Sequence, residues 1–259
     1  MPEIPDLEVF SMNLTKMLKG KVVKKLEVPY PKKLKTSLTT LRKQIEKQKL
    51  TSIYREGKQL RLAFSNKAIL GWHLMLHGEP AIYEGKALPK WPIITLQFTD
   101  DTGLAMTDFQ GQAMVTLNPE ESEVPDAMSK QVNTKYLQGI LGDSKKKIKE
   151  VLMDQELIRG LGNAYTDEIL YQARISPFSV ANKIPAAQVK VLASSIKKVL
   201  KDGIKQILKH DKNPISGEYR DFMKVHHARK EMSPGGAPIQ SHKVGSRKTY
   251  YTDEQELYT

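Results

Sequence analysis

The feature that most constrains the fold is a change in the spacing of apolar residues along the chain. Between residues 21 and 118 these residues form short runs bounded by turn-forming residues, which is typical of strands in a β-sandwich or barrel. From residue 133 to about 210 they recur at helical spacing instead. The sequence therefore predicts an α+β fold, with a strand-rich half followed by a helical half. The clearest strand-like runs are Val22–Val28, Leu60–Phe64, Ala68–Trp72, Ile93–Phe98 and Ala113–Leu117.

Helices are expected at the N-terminus and throughout the second half. Residues 3–18 predict a helix, because apolar residues such as Leu7 and Leu14 recur on one face and Gly20 provides a stop. The second half predicts four more helices. They cover residues 133–141, a segment capped by Ser144 that runs to about Gln155, a segment that begins near Asn163, and a long segment from Pro185 to about His210.

The same patterns divide the chain into three predicted domains. Residues 119–132 are acidic, contain proline and carry few apolar residues, so we expect them to connect the two halves. Beyond residue 222 short strands return, with Pro-Gly-Gly and Val-Gly-Ser turns that predict a hairpin. The predicted domains are a sandwich with its N-terminal helix at 1–125, a helical domain at 126–221 and a hairpin at 222–259.

Charge and cysteine content narrow the classes of function. Lys and Arg total 41 against 29 Asp and Glu, a formal net charge of +12. Such an excess indicates a polyanionic partner, although a basic protein that is merely soluble would show it too. The chain has no cysteine, which excludes disulfides, thiolate nucleophiles and cysteine-based zinc sites. No run approaches the ~18 apolar residues of a membrane span, and the N-terminus lacks a secretory signal. We therefore expect a soluble protein of the bacterial cytoplasm, associated with the nucleoid.

The N-terminus is the first candidate for chemistry. Removal of Met1, which is usual when a small residue follows, would leave Pro2 as a secondary amine. Such an amine is partly unprotonated near neutral pH and can form an iminium with an aldehyde carbon. Glu3 stands beside it and could transfer protons. Taken alone, Pro2 is better explained as an ordinary helix start, because many proteins begin Met-Pro-Glu.

The second candidate is the glycine-rich segment before the helix that begins near Asn163. Gly160 and Gly162 let the backbone approach a ligand, and the helix N-terminus adds positive potential, so together they suit a phosphate. A plain helix–helix turn would look similar. The preceding run Ser144–Lys149 is usually a solvated helix face. Beside a phosphate site, it favours contact with DNA.

Two predicted hairpins display basic residues. Lys58 lies in a turn flanked by strand-like residues, and Arg247 lies among aromatic residues near the C-terminus. Six basic residues fall between Lys224 and Lys248, against the single acid Glu231. This density is typical of a nucleic-acid-binding finger, and solvated edges also show it.

The order of these motifs resembles the formamidopyrimidine-DNA glycosylase and endonuclease VIII family from residue 2 to about 251. That family begins P-E-L-P-E-V-E, where this chain has residues 2–8 as PEIPDLE. Its helix–two-turn–helix motif reads roughly D-Q-x-x-x-x-G-I-G-N-x-Y-x-D-E-x-L, which residues 154–170 match closely. Its R-x-G-K hairpin corresponds to residues 55–58, and its R-x-T-Y-Y piece to residues 247–251.

The resemblance implies a function and a role for each matched residue. The chain would be a bifunctional DNA glycosylase and abasic-site lyase of base excision repair, acting as a monomer on double-stranded DNA without a cofactor. Pro2 would attack C1′ of a damaged nucleotide, Glu3 would protonate the opening sugar ring, and Lys58 would complete the catalytic group. Asn163 and Arg247 would hold phosphates, as would Lys58, with Gly160 and Gly162 shaping the loop. The nucleotide must be flipped out, because a stacked base shields C1′.

The chain departs from the family in its finger and in its DNA wedge. The family's four zinc-binding cysteines correspond to Met232, Gly235, Thr252 and Gln255, so we predict a zincless hairpin finger and no metal site. His226, His227 and His242 lack the spacing of a zinc site. Leu76 replaces the family's wedge methionine. Gln110 and Gln112 are the nearest substitutes for its D-P-R-R-F-G arginine and phenylalanine, which leaves the preferred lesion and opposite base undetermined.

Two further classes of function stay open at this point. A non-catalytic DNA-binding paralogue could recognise damaged or abasic DNA, but it would need no nucleophile. An RNA-associated basic protein would explain the charge but not the motif at 154–170. Removal of Met1 separates the enzyme from the paralogue, because a retained Met1 makes the Pro2 nitrogen an amide.

Overall fold

The strand-rich part folds into two four-stranded antiparallel sheets, in the computed structural model that describes residues 1–30 and 34–259. One sheet has the order β1-β6-β7-β5 and the other β2-β3-β4-β8. The strands are β1 (Val23–Glu27), β2 (Leu50–Glu56), β3 (Gln59–Phe64), β4 (Ile69–His73), β5 (Glu79–Glu84), β6 (Pro92–Phe98), β7 (Thr102–Thr107) and β8 (Met114–Leu117). This arrangement, with the helices described below, confirms the predicted α+β fold.

One hydrophobic core joins both sheets to two helices, α1 (Ile4–Leu18) and α2 (Leu38–Ile45). Helix α1 begins where the sequence predicts, because Pro5 suits a first turn. Its buried face, with Leu7 and Phe10, packs in the same cluster as Trp72 of β4 and Leu104 of β7. Helix α1 therefore fixes the N-terminus against the sandwich.

The second half of the chain forms four α-helices and a hairpin. The helices are α3 (Thr134–Gly142), α4 (Ile148–Met153), α5 (Asn163–Gln172) and α6 (Ala186–His210), and the hairpin pairs β9 (Gln240–Val244) with β10 (Arg247–Tyr251). The helix predicted from Ser144 to Gln155 is shorter than expected. Residues 144–147 instead bond with the segment at 179–182, where Asn182 N–H donates to the Ser144 carbonyl at 3.0 Å. These bonds delay the helix until Ile148.

Contacts within the chain group it into two units, residues 1–121 with 207–218 and residues 122–206 with 219–259. The hairpin segment thus falls in one unit with the helices, and the three-domain division stays a prediction. No helix among the described residues is both long and apolar enough to cross a bilayer.

Candidate active site and nucleic-acid interface

Pro2 lines a cavity of about 590 Å³ in the first unit. Pro2 and Glu3 are themselves buried, and Glu3 is only 5% exposed. The Glu3 backbone N–H donates to Asp6 Oδ2 at 2.8 Å, which holds the residues before α1 in one conformation. The cavity wall also includes Leu76, His77, Trp91, Phe109 and Glu218. An N-terminal nucleophile would therefore act in a preformed cavity with an acid beside it in sequence.

The turn that carries Lys58 is bonded to α1, the helix that directly follows Pro2 and Glu3. Arg55, whose side chain is 6% exposed, donates from Nε to Glu8 Oε2 of α1 at 2.8 Å. Its Nη1 donates to the Gly57 carbonyl at 3.0 Å, inside the turn between β2 and β3. Gly57 has φ 56°, a left-handed conformation that favours glycine. Arg55 therefore positions the half-buried Lys58 relative to the N-terminus.

His73 lies beside this turn and belongs to the site, although sequence reasoning gave it no role. Strand β4 ends at His73, which pairs with Gln59 next to Lys58. Burial lowers the pKa of His73, and the Lys58 charge lowers it further. The Met75 N–H donates to Nδ1 at 3.1 Å, so the neutral ring carries its proton on Nε2. The sequence could have revealed His73, because it is a histidine at the end of a predicted strand.

Leu76 stands on a tight turn after β4 and is 50% exposed. The Gly78 N–H donates to the Leu74 carbonyl at 2.7 Å, and a Cβ at Gly78 would lie 2.2 Å from that oxygen. Met75 has φ 53°, which marks a strained backbone in the same turn. The turn therefore presents Leu76 and His77 rigidly at the cavity that contains Pro2.

Asp108 organises the loop that carries Gln110 and Gln112. Its carboxylate accepts the backbone N–H groups of Gln110 at 2.9 Å, Gln112 at 2.6 Å and Ala113 at 2.8 Å. Burial alone would raise the pKa of Asp108, but these bonds outweigh it and lower that pKa. Both glutamine side chains are exposed. The predicted wedge residues are thus displayed on a loop with a fixed backbone.

Phe109 is a wedge candidate that sequence reasoning missed. It is 58% exposed, its ring centroid lies 4.7 Å from that of His77, and the Trp91 ring lies 6.3 Å away. Phe109 and Trp91 line the Pro2 cavity together with Leu76. A bulky apolar residue directly after Asp108, in a turn, was the signal that could have revealed it.

In the second unit, the glycine-rich segment leads into α5 as predicted. Gly160 has φ 98°, and its N–H donates to the Gln155 side chain at 2.9 Å. Gly160 therefore contributes backbone conformation, since its amide is already bonded. Gly162 precedes the first residue of α5, Asn163, whose Nδ2 donates to the Lys248 carbonyl at 3.0 Å. Asn163 thus connects the N-terminus of α5 to the hairpin beside Arg247, which is exposed on β10.

Asp167 and Glu168, the acidic pair of the 154–170 motif, bind neighbouring segments of the second unit. Asp167 accepts from the Tyr250 N–H at 3.0 Å and contacts His226 Nδ1 at 2.7 Å. Glu168 accepts three backbone N–H groups at 2.8 Å, from residues 224–226. The acidic pair of the 154–170 motif therefore has a structural role, because its hydrogen bonds hold α5 to the segment at 224–226 and to the hairpin.

Lys149 does not contact solvent or DNA, which corrects the prediction for that end of the lysine run. It is 0% exposed, and its Nζ donates to Asp167 Oδ1 at 2.6 Å and to Thr249 Oγ1 at 2.8 Å. Lys149 lies with Ile148, Val151 and Leu152 among the buried residues of α4. Lys149 therefore attaches the hairpin to α5.

The positions that correspond to zinc ligands do not fit a zinc ion. Met232, Gly235, Thr252 and Gln255 offer no thiolate or imidazole, and the described residues contain no group of three or more metal-ligating side chains. The carboxylate of Glu254 occupies this part of the finger instead.

Glu254 joins three segments through its carboxylate. It accepts from Ser233 Oγ at 2.5 Å, from Thr252 Oγ1 at 3.2 Å and from Arg174 Nη1 at 2.7 Å. The Ser233 hydrogen bond, together with Arg174, lowers the pKa of Glu254 to about 2. A Cβ at Gly235 would lie 2.0 Å from Glu254 Oε1, so a larger residue there would displace the Glu254 carboxylate. We call Ser233, Thr252, Glu254 and Arg174 the finger knot.

Two family models together match most of the chain. The formamidopyrimidine-DNA glycosylase N-terminal domain matches residues 1–115, and the formamidopyrimidine-DNA glycosylase H2TH domain matches residues 124–212. The chain is 30% identical to the formamidopyrimidine-DNA glycosylase of Lactobacillus gasseri, in an alignment of 275 positions that covers all of both chains. It is also 30% identical to that of Lactobacillus acidophilus, over 97% of each chain.

Solved structures with DNA share the fold. The Lactococcus lactis Fpg in complex with an abasic site containing DNA is 26% identical, with a TM-score of 0.86. MutM in complex with carbocyclic 8-oxo-G containing DNA is 27% identical, with the same TM-score. In both comparisons the match covers 98% of this chain and all of the other.

Proposed function

Because this chain belongs to the formamidopyrimidine-DNA glycosylase family, it is a DNA glycosylase with abasic-site lyase activity, and we propose that Pro2 is its nucleophile. The observation that carries this proposal is the position of Pro2 in the wall of a cavity, next to the buried Glu3. A secondary amine at that position can attack an electrophilic carbon presented in the cavity.

The proposed reaction begins when the Pro2 nitrogen attacks C1′ and the bond from C1′ to the base breaks. The base leaves with the bonding electrons and takes up the proton that the Pro2 nitrogen loses. Glu3 then protonates O4′ as the C1′–O4′ bond breaks, and the nitrogen lone pair forms the iminium. The iminium acidifies the C2′ protons, so loss of one of them expels the 3′ phosphate. A second elimination expels the 5′ phosphate. Water finally releases Pro2.

Lys58, Asn163 and Arg247 are proposed to hold the phosphates that flank the flipped nucleotide. Two observations support the role of Lys58. Arg55 bonds the Lys58 turn to α1, and the lowered pKa of His73 keeps that ring neutral, so Lys58 is the cation at this position. Asn163 is supported by its position at the first residue of α5, where the helix N-terminus favours anions. Gly160 and Gly162 shape the loop before it. With such a substrate, the protein is proposed to work at the bacterial nucleoid, in the cytoplasm.

Borohydride trapping on an oligonucleotide with an abasic site tests the nucleophile. The protein processed to Pro2, verified by intact mass, should form a covalent adduct, because borohydride reduces the iminium. The matched control is the same chain with a short N-terminal extension, which converts the Pro2 nitrogen to an amide and should form no adduct. An adduct of equal yield from the extended chain would place the nucleophile elsewhere. Tight binding without any adduct would favour the non-catalytic paralogue.

A further inference from the structure

We infer that a second cavity of the first unit receives the unpaired base of the opposite strand, extruded from the duplex when the damaged nucleotide is flipped. This inference rests on the proposed function. The cavity has a volume of about 820 Å³ and shares Trp91, Asp108 and Phe109 with the cavity that contains Pro2. Cavities of this size hold small molecules in many proteins. We call it the orphan-base cavity.

The orphan-base cavity is bordered by large apolar side chains that the fold leaves in solvent. Tyr30 is 71% exposed, Trp91 62%, Phe109 58% and Met114 49%. All four line this one cavity. Contiguous exposed apolar surface on a protein indicates an interaction site, whereas scattered exposed residues need no explanation. The described residues do not bury these four side chains, and a ligand with an apolar face would cover them.

The backbone that presents two of these rings is strained and fixed. Trp91 has φ 50°, an unusual conformation for a bulky residue, and its carbonyl accepts the Asp108 N–H at 3.0 Å. The Asp108 carboxylate in turn holds the loop that follows. Strain of this kind persists where the surrounding structure enforces it, often at ligand sites. Trp91 and Phe109 are therefore preorganised before any ligand arrives.

The chemistry of the lining fits a nucleobase. Aromatic rings stack on any base, and stacking of this kind tolerates all four. Gln110 and Gln112 add carboxamides at the same cavity, and a carboxamide can bond acceptors and donors alike. Lys35 also lines it and supplies a cation for a neighbouring phosphate. Asp108, the carboxylate of this lining, accepts three backbone N–H groups, so its oxygens are engaged with the loop rather than with a ligand.

The opposite-strand base is the occupant because it loses its partner when the damaged nucleotide enters the Pro2 cavity. Leu76 in the Pro2 cavity and Phe109 in the shared wall are apolar and form no hydrogen bonds with its pairing edge. Leaving that edge unbonded in the duplex gap is costly, whereas extrusion lets the base stack on Trp91 and Phe109. The two cavities share a wall, so both bases can be held at once.

A double comparison of variants and duplexes tests this inference. Binding is measured for a duplex with a tetrahydrofuran site opposite thymine, and for one with tetrahydrofuran on both strands. Tyr30→Ala, which changes a ring of the orphan-base cavity that does not line the Pro2 cavity, should weaken binding to the first by about 5- to 150-fold, the equivalent of about 1–3 kcal/mol, and leave the second unchanged. Trp91→Ala and Phe109→Ala, whose side chains line both cavities, should weaken binding to the first more than to the second. Leu88→Ala is the control, because Leu88 is 50% exposed but lines neither cavity.

A photochemical experiment identifies the contact directly. With 5-iodouracil opposite the tetrahydrofuran site, irradiation should crosslink the base to Trp91 or Phe109, located by peptide mass spectrometry. Equal losses on both duplexes, or a crosslink confined to Leu76, would overturn the inference while the proposed function survives. If the parent chain bound tetrahydrofuran duplexes no better than undamaged duplex, the proposed function itself would fail.

Discussion

Replacing Glu254 by glutamine should loosen the finger without changing its shape. Glutamine has the same size, but its amide group carries no charge. Because Ser233 and Arg174 donate to different oxygens of the carboxylate, the NH₂ group of glutamine would face one of these donors and lose that hydrogen bond. The depression of the Glu254 pKa from 4.5 to about 2 would correspond to ~3 kcal/mol if fully expressed. Solvent screening reduces this value, because the carboxylate is partly exposed. We therefore expect Glu254→Gln to lower the free energy of unfolding by about 1–2 kcal/mol and Tm by about 2–8 °C.

The pH dependence gives this prediction its sharpest test. A carboxylate with a depressed pKa stabilises the folded state above its unfolded pKa, and the stabilisation is lost as pH falls through the folded value. The difference between parent and variant should thus be constant from pH 5 to 8 and shrink between pH 4.5 and about 2. Denaturant unfolding at several pH values measures this difference.

Glu256→Gln is the matched control, because the exposed Glu256 carboxylate bonds only the Tyr258 hydroxyl, at 2.8 Å, among the described residues. The reasoning would be refuted if the difference in free energy of unfolding between parent and Glu254→Gln changed between pH 6 and 8. An equal loss of stability in Glu256→Gln would refute it too.

Four further outcomes are expected. Glu3→Gln should suppress base excision far more than cleavage at a ready-made abasic site, and equal losses in the two assays would contradict its role. Lys58→Ala and Arg247→Ala should each reduce the slope of log affinity against log salt by about one, whereas Lys43→Ala, an exposed control, should not. Chelators should leave unfolding and activity unchanged, and one zinc per chain by elemental analysis would disprove the zincless finger. Single-turnover excision should vary little with the opposite base, and a strong preference for 8-oxoguanine opposite cytosine would argue against the orphan-base cavity.

The regular elements of the fold could be predicted because their apolar residues have a clear period. Helix α1 and strands β1, β3, β4, β6 and β8 follow from such patterns. Strands β5 and β7 and helix α2 were not predicted. In β7, residues 103–106 are buried on both faces, so no alternation marks the strand. Helix α2 buries only Leu41 and Ile45.

Tertiary hydrogen bonding explains the rest of what the sequence did not reveal. A lysine run predicts a solvated face, but Lys149 is buried because Asp167, distant in sequence, neutralises it. The role of Glu254 depends on Ser233 and Arg174, which no local spacing connects to it. Phe109 matters because it lies beside Trp91 and His77, a proximity that only the folded loops create. Roles of Pro2, Glu3 and Lys58 stay predictions until the trapping and excision experiments are done.

The finger knot determines how the finger of this protein responds to oxidants. A finger closed by cysteine thiolates can be oxidised, and sulfenic or sulfinic acids no longer hold a metal. The atoms that close this finger are carboxylate, hydroxyl and guanidinium groups, none of which oxidants of that strength attack. With no thiol anywhere in the chain, the remaining oxidisable sulfurs are those of 10 methionines. Reactive oxygen that damages DNA bases would thus leave the closure of the finger chemically intact.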